Sequence, residues 1–169
     1  MQLRDLFEET PVNTDAVIPM ALQQLLRSDL DVKDDWRRAE NTLLQALAAL
    51  PDQIEVRIAL YKLYAYSNRF DESLEHIGEV LARTAMQAGF DADWRNLDAH
   101  SVCWNPARGA VRFYLYSLKA TGFVRLRRGD LELAYEVLSK LLELDSQDQV
   151  GGSVVFEMAE RLTEIEAEC

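Results

Sequence analysis

The feature that most constrains this chain is a pattern that occurs twice at a fixed spacing. Five positions between residues 36 and 47 are matched by residues of similar size 34 positions later; the pairs are Trp36 and Phe70, Ala39 and Ser73, Leu43 and Ile77, Ala46 and Val80, and Leu47 and Leu81. A period of this length is typical of a repeated two-helix unit, because one such unit cannot bury its apolar face alone. The pattern predicts an all-α fold, an array of antiparallel helical hairpins.

The composition favours helices and narrows the range of partners. Seven glycines and four prolines in 169 residues suit helices better than a turn-rich β-sandwich. The formal net charge of −11 argues against non-specific binding to nucleic acid or to anionic membranes, because both require a cationic protein surface. We therefore expect neither of these partners.

The lack of a recognisable targeting signal and the pattern of cysteines predict a cytoplasmic location. The first ten residues carry scattered charges and no apolar core, unlike a secretory signal, and the apolar run 16–22 is too short to span a bilayer. Cys103 and Cys169 lie far apart and make no disulfide framework, so free thiols are expected.

Apolar residues at three- and four-residue steps predict about seven helices in one domain, 1–169. Residues 1–31 are interpreted as an N-terminal cap whose helix starts at Asn13, Thr14 or Asp15 and carries Val17, Ile18, Leu22, Leu25 and Leu26. The other helices are predicted over 36–50, 53–67, 71–88, 106–128, 131–144 and 150–169, with Asp52 capping the second of these. The domain thus comprises the cap, repeat units over 32–88, an insertion over 89–105, a third repeat unit over 106–146 and a C-terminal capping helix over 150–169.

The insertion interrupts the repeat pattern. Leu131, the first residue of the second helix in the next hairpin, lies 61 residues after Phe70. This spacing is 27 residues longer than one period of 34. The segment holds Trp94 and Trp104 in no clear helical phase. Long ordered loops in compact domains are uncommon and often functional.

These residues resemble the tetratricopeptide repeat, a helix–turn–helix motif with small and large residues at fixed positions. The matching residues are Ala39, Leu43, Ala46 and Pro51 in the first unit, Leu60, Tyr64, Phe70, Ser73, Ile77 and Val80 in the second, and Gly122, Gly129, Asp130, Ala134, Leu138 and Leu141 in the third. The match covers 36–81 and 115–146 and departs from the family at Tyr61, at Arg125 and at the insertion. The resemblance implies protein–protein recognition through a concave surface lined by the first helix of each pair, and no particular chemistry.

A basic stripe is the strongest compositional anomaly, since residues 99–129 contain no Asp or Glu. On the predicted helix 106–128, Arg108, Arg112 and Lys119 fall within about 40° of one another. Such a stripe suits an acidic peptide held by charge-assisted hydrogen bonds; alternatively, the cations pair with carboxylates of neighbouring helices. With the outward positions of the preceding first helix, the candidate partner-binding residues are Lys62, Tyr66, Arg108, Arg112, Tyr116, Lys119 and Phe123.

The insertion carries the only other candidate chemistry. His100 and Cys103, with Asp98 beside them, have a spacing seen in metal sites, but two or three ligands without a second pair make a weak motif. A Cys–His nucleophile pair also needs an orienting group and an oxyanion hole. We expect Cys103 to pack beside Trp94 and Trp104 as a small hydrophobe, and we assign no catalytic residue, metal ligand or cofactor.

The leading hypothesis is a non-catalytic interaction module (an adaptor, a scaffold or a chaperone-like protein) that binds a protein segment, such as an acidic one, in a groove lined by the first helices. The alternative is an enzyme, or a small-ligand or metal-binding helical protein, with its site between Trp94 and Trp104. Nothing in the sequence predicts the oligomeric state.

Overall fold

The structure, a computed structural model, describes residues 1–8, 20–26, 28 and 30–168. In these residues seven α-helices occur: Met20–Leu26 (α1), Trp36–Ala49 (α2), Ile54–Tyr66 (α3), Phe70–Ala88 (α4), Gly109–Arg128 (α5), Leu131–Leu144 (α6) and Gly152–Glu168 (α7). Two 3₁₀ turns, Leu3–Phe7 and Trp94–Asn96, lie between them, and this part of the chain contains no strand. The predicted all-α array of about seven helices with an irregular insertion near 89–105 is confirmed.

The N-terminal helix can be compared with its prediction only in part. Its predicted start at Asn13, Thr14 or Asp15, with Val17 and Ile18, lies outside the described residues. Leu25 of α1 is buried, as expected. None of the helices in the described part of the chain has the length and apolar character needed to cross a bilayer.

The predicted cap of α3 is wrong. Gln53, not Asp52, occupies the cap position, and its side chain makes no capping hydrogen bond. The reason is the turn after α2, in which the N–H of Gln53 donates to the carbonyl of Leu50 at 3.1 Å and delays the start of α3 by one residue.

The chain divides into two compact units, Met1–Ile77 and Gly78–Cys169, which we call the N-terminal and C-terminal units. The division falls within α4. The single repeat domain expected from the sequence stays a prediction.

In the N-terminal unit the core lies between the 3₁₀ turn, α2 and α3. Leu3 of the turn, Leu43 of α2 and Leu60 of α3 are fully buried and belong to one apolar cluster. The N–H of Val32 donates to the carbonyl of Met1 at 2.8 Å, which fixes the N-terminal segment beside the start of α2. Burying each of these large side chains contributes about 1.5–3 kcal/mol, so the segment is part of the core rather than a loose tail.

Three small residues of the repeat pattern are fully buried, whereas Ala46 is partly buried. Ala39, Ser73 and Ala134 have no exposed surface. Within the N-terminal unit, Oγ of Ser73 donates to the carbonyl of Tyr61 at 2.9 Å, so the start of α4 approaches the backbone of α3 closely. A larger side chain at such a position would have to push the helices apart.

In the C-terminal unit α5, α6 and α7 pack on one another. Gly122 of α5 faces Leu138 of α6 so closely that a Cβ at position 122 would overlap the leucine side chain. Helix α5 ends at Gly129, whose φ of 94° is the left-handed conformation typical of a helix C-terminus. The third hairpin is therefore formed by a close helix–helix contact and a tight glycine turn.

Candidate functional site

The two candidate residues of α3 have different surroundings. The Nζ of Lys62 donates to the main-chain carbonyl of Glu8 at 2.6 Å, so this cation is directed at the N-terminal segment. Tyr66, at the end of α3, is 51% exposed and lines a surface hollow. Tyr66 is thus the candidate of this helix whose ring is presented to solvent.

Two candidate cations of α5 hold the loop between α6 and α7. A guanidinium nitrogen of Arg112 donates to the carbonyl of Gln149 at 3.2 Å, and Nζ of Lys119 donates to the carbonyl of Val150 at 2.6 Å. The acceptors of these two hydrogen bonds are main-chain carbonyls. Loop carbonyls lack the partners that a helix supplies, and cationic side chains bind them well.

The other candidates on α5 are distributed between the surface and the interior. Arg108 is exposed at the N-cap of α5. Tyr116 is buried, and the ammonium of Lys119 lies 4.8 Å from its ring centroid. Phe123 is half-buried, with the guanidinium of Arg127 5.9 Å from its ring centroid. The structure therefore brings Tyr116 and Lys119 together and leaves Arg108 apart from them.

Asp145 and Gln149 connect the same loop to the insertion. The buried carboxylate of Asp145 accepts the main-chain N–H groups of Gln149 and Val150, both at 3.0 Å. The Gln149 amide donates to the carbonyl of Trp104 at 2.8 Å and accepts the N–H of Ala107 at 2.8 Å. This network, whose Gln149 carbonyl also accepts the bond from Arg112, fixes the insertion to the loop between α6 and α7.

The insertion folds around Trp104. Its ring centroid lies 5.3 Å from that of Phe90 and 6.4 Å from that of Tyr114, and its Nε1 donates to the carbonyl of Asp98 at 2.8 Å. The Tyr114 hydroxyl donates to the carbonyl of Ala92 at 2.8 Å. Burial raises the pKa of Tyr114 above its ordinary value, so the hydroxyl stays a hydrogen-bond donor.

The prediction that Cys103 packs beside Trp94 and Trp104 is wrong. Cys103 is exposed, and its Sγ lies 3.4 Å from the carbonyl oxygen of Asn105. Because the ring of Trp104 turns into the interior, the side chain of its neighbour in the chain turns to solvent. The thiol therefore does not contribute to the aromatic cluster.

Neither histidine belongs to a converging set of ligands. The Asp98 carboxylate accepts the main-chain N–H of His100 at 2.7 Å, and this bond is the main reason why the pKa of Asp98 is lowered. His76 stacks on Tyr64 with ring centroids 5.4 Å apart. Across the described ranges of the chain, no three His, Cys, Asp or Glu side chains form a group that could hold a metal ion.

A hollow in the N-terminal unit brings aromatic and cationic side chains together. Its volume is about 420 Å³, and the residues that line it are Met1, Val32, Lys33, Trp36, Tyr66, Ser67 and Arg69. Trp36 is 38% exposed, and with Tyr66 it forms an aromatic surface beside a guanidinium. Tyr, Trp and Arg are the residue types enriched at protein interfaces.

Arg69 is held firmly in this hollow. Its Nη1 donates to Oε1 of Glu40 and its Nε to Oε1 of Glu72, both at 2.9 Å. The guanidinium lies 4.6 Å from the ring centroid of Tyr64 and 5.3 Å from that of Trp36. Although partial burial opposes the charge, the hydrogen bonds to Glu72 and Glu40 raise the pKa of Arg69 above its ordinary value. The site therefore contains a fixed and permanent positive charge.

The groups that hold Arg69 also perturb one another. The Tyr64 hydroxyl donates to Oε1 of Glu40 at 2.8 Å. Burial, together with this hydrogen bond and the charge of Glu40, raises the pKa of Tyr64 to about 12. The pKa of Glu72 is lowered by its own main-chain N–H and by Arg69. Three segments of the chain, α2, α3 and the start of α4, are joined by this network.

Two carboxylates near the rim of the hollow accept main-chain N–H groups, and one of them, Asp31, also lies 3.6 Å from the ammonium group of Met1. Asp31 accepts the N–H of Lys33 at 2.8 Å, and Asp35 caps α2 by accepting the N–H of Arg38 at 3.1 Å. Lys33 itself is exposed at the rim. Lys33 and Arg69 both line the hollow together with Trp36.

Of the residues that line this hollow, only Tyr66 is among the partner-binding candidates of the sequence analysis; Trp36, Lys33 and Arg69 are not. Trp36 is interpreted from the sequence only as a repeat position. One signal was present: Trp36 directly follows the capping residue Asp35 and precedes two arginines, an unusual place for a buried aromatic residue.

The fold and the hollow define an all-α protein of helical hairpins with an aromatic and cationic surface site. Over 130 residues the chain is 33% identical to the uncharacterized 19.8 kDa protein in the nifW 5′ region of Azotobacter chroococcum mcd 1, an alignment that covers 75% of this chain and 73% of that protein. The chain belongs to the same family as that protein. No family model and no solved structure matches it.

Proposed function

We propose that this protein is a cytoplasmic, non-catalytic interaction module of the tetratricopeptide type that binds an acidic protein segment in the hollow of its N-terminal unit. The observation that carries the proposal is the grouping of Trp36, Tyr66 and Arg69, since Trp, Tyr and Arg most often anchor protein interfaces. The burial of small residues at repeat positions, such as Ala39 and Ser73, supports the tetratricopeptide type.

The size of the hollow suits one side chain of a partner. At about 420 Å³ it falls at the lower end of the volumes of small-ligand sites, which are about 300–1,000 Å³. An apolar or aromatic side chain would enter between Trp36 and Tyr66, and an adjacent carboxylate would pair with Lys33. The rest of the bound segment would lie on the surface around the hollow.

The fixed position of Arg69 favours binding. The guanidinium of Arg69 donates from Nη1 to Glu40 and from Nε to Glu72. These two bonds use two of the five N–H donors of a guanidinium. Because these bonds already hold the side chain, less conformational entropy is lost when a partner arrives. The two carboxylates more than balance the single charge of the guanidinium. We therefore expect Lys33 at the exposed rim, rather than Arg69, to attract an acidic segment.

Calorimetric titration with a short peptide of aspartate and glutamate residues around one phenylalanine tests this proposal. Trp36→Ala should weaken binding at least tenfold, about 1.4 kcal/mol, because the peptide ring loses its main contact. Lys33→Glu should weaken binding as well, and raising the salt concentration should weaken binding to the unmodified protein, because exposed charge pairs are screened.

Trp94→Ala is the matched control. Trp94 also carries a stacked cation, with the guanidinium of Arg95 4.3 Å from its ring centroid, but it belongs to the C-terminal unit. Its removal should leave the affinity unchanged. Equal losses with Trp36→Ala and Trp94→Ala, or binding of a lysine-containing peptide in preference to the acidic one, would contradict the proposal.

A further inference from the structure

Helix α7 has a second apolar face that its contacts with α6 do not cover. Val154, Met158, Leu162 and Ile165 are between 41% and 58% exposed. With 3.6 residues per turn, these four side chains fall within about 80° of one another. They form a continuous stripe along the helix, which we call the α7 stripe.

The α7 stripe is separate from the face by which α7 joins the C-terminal unit. Gly152, Val155 and Ala159 are buried, and they are centred roughly 100° around the helix from the stripe. Phe156 packs on Tyr135 of α6 with ring centroids 5.3 Å apart. The helix is therefore apolar on two adjacent faces, and one of them is presented to solvent.

An exposed stripe of this kind indicates an interaction surface. A helix on the surface of a monomer normally has one apolar stripe and a polar remainder, and contiguous exposed apolar patches mark binding sites. Residues 154 to 165 span about 16 Å along the helix, which is about three turns. A partner helix of similar length would cover the stripe by ridges-into-grooves packing.

The charges beside the stripe specify which helix would bind. Helix α7 carries Glu157, Glu160, Glu164, Glu166 and Glu168 against a single cation, Arg161. Along one side of the stripe, Glu168, Glu157 and Glu164 lie about 40°, 60° and 80° beyond its edge, and Arg161 lies between them and the stripe. Because three glutamates outnumber the one arginine there, a partner with Lys or Arg along the facing side of its own apolar stripe would be attracted, whereas an acidic one would be repelled.

We propose that the α7 stripe is a docking site for a basic amphipathic helix of another protein. A second copy of this chain fits less well, because self-pairing would bring together the glutamates beside the stripe of each copy, Glu157, Glu164 and Glu168. This surface belongs to the C-terminal unit and differs in chemistry from the hollow around Trp36, so it does not depend on the proposed function.

Fluorescence anisotropy of a labelled amphipathic peptide of leucine and lysine, about 18 residues long so that it can form a helix, tests the site. The unmodified protein should bind this peptide and should not bind the same peptide with glutamate in place of lysine. The double variant Met158→Glu, Ile165→Glu should bind at least tenfold more weakly, because two charges interrupt the stripe.

Met86→Glu is the matched control for non-specific charge attraction. Met86 of α4 is 77% exposed and also belongs to the C-terminal unit. This variant gains a negative charge without touching the stripe, so its affinity should match that of the unmodified protein. Trp36→Ala should likewise bind the lysine peptide normally, which separates this site from the hollow.

Three results would overturn the proposal. The first is no binding of the lysine peptide, and the second is unchanged affinity in the double variant. The third is a dimer of the unmodified protein in sedimentation that the double variant converts to a monomer, since the occupant would then be a second copy. If glutamate lowers the helicity seen by circular dichroism, Met158→Gln and Ile165→Gln provide the same comparison without added charge.

Discussion

At the scale of single residues, the smallest side chains of the repeat fix how closely the helices can approach. Ala39 has no exposed surface and belongs to the same apolar cluster as Leu43 and Leu60. Cores are packed so densely that an added methylene group has no space to occupy. The identity of residue 39 should therefore matter more than that of larger residues nearby on the surface.

Ala39→Leu should lower the free energy of unfolding by about 1–3 kcal/mol, because the larger side chain overpacks the contact between α2 and α3. Urea denaturation followed by circular dichroism measures the change. Ala48→Leu, an exposed position on the same helix, should shift stability by no more than about 0.5 kcal/mol. Equal denaturation midpoints for Ala39→Leu and the unmodified protein would show that the proposed repeat register is wrong.

The sequence predicted that small repeat residues are buried, but it did not predict which polar side chains contact one another. The period of 34 residues indicates that Ala39 and Ser73 are buried, since periodicity reports directly on which face is apolar. Arg69 contacts Glu40, which lies 29 positions earlier, and only the packed helices bring the two together. For the same reason, Tyr66 was found as an exposed aromatic while its neighbours in the hollow were not.

At the scale of helices, the third hairpin depends on a glycine. Gly122 of α5 allows α6 to approach until the side chain of Leu138 occupies the space where a Cβ would lie. Gly78 of α4 is also helical, but a Cβ there would meet no atom within 4 Å. Substituting each of the two glycines in turn therefore distinguishes the effect of helix packing on stability from the effect of helix propensity.

Gly78→Ala should raise the free energy of unfolding by about 0.5–1 kcal/mol, because alanine is the better helix former. Gly122→Ala gains the same propensity term but overpacks Leu138, which costs about 1–3 kcal/mol, so a net loss of stability is expected. Denaturant unfolding of both variants measures the difference. An equal rise in stability for the two would contradict the close contact between α5 and α6.

The helices themselves were predictable from the sequence, and the structure of the insertion was not. Apolar steps of three and four residues define α2 to α7 closely, because each helix has a long periodic stretch. The insertion has no period, and its structure depends on Gln149, which lies 45 residues from Trp104 and bonds to its carbonyl. The cations of α5 illustrate the same limit, since Arg112 and Lys119 bind carbonyls of a loop that the sequence does not associate with them.

At the scale of the whole molecule, carboxylates whose pKa values are lowered in the folded state make the stability depend on pH. The pKa of Glu72 is lowered below 4.5 by its own main-chain N–H and by Arg69, and the pKa values of Asp31, Asp91 and Asp98 are also lowered, chiefly by main-chain N–H groups. A lowered pKa means that the folded state binds the proton more weakly than the unfolded state does. Glu55 acts in the opposite direction, because burial raises its pKa.

We expect the free energy of unfolding to fall as the pH is lowered. The contribution of Glu72 is fully present above its ordinary pKa of 4.5 and is lost as the pH falls through the lower folded value. Urea midpoints at about pH 7 and about pH 3 should show this loss, and Glu72→Gln should reduce the difference between them. Identical midpoints at the two pH values would contradict the assignment of the Arg69 network.

The most direct test of the central claim is a map of the bound segment on the protein. In an NMR titration of the full chain with the acidic phenylalanine peptide, amide shifts should change for residues 32–37 and 64–69, which surround Trp36, Tyr66 and Arg69. Residues of α5 and α7 should be unaffected. Shifts confined to α5 around Arg112 and Lys119, or to the insertion around Trp104, would contradict the account and assign the binding surface to the C-terminal unit.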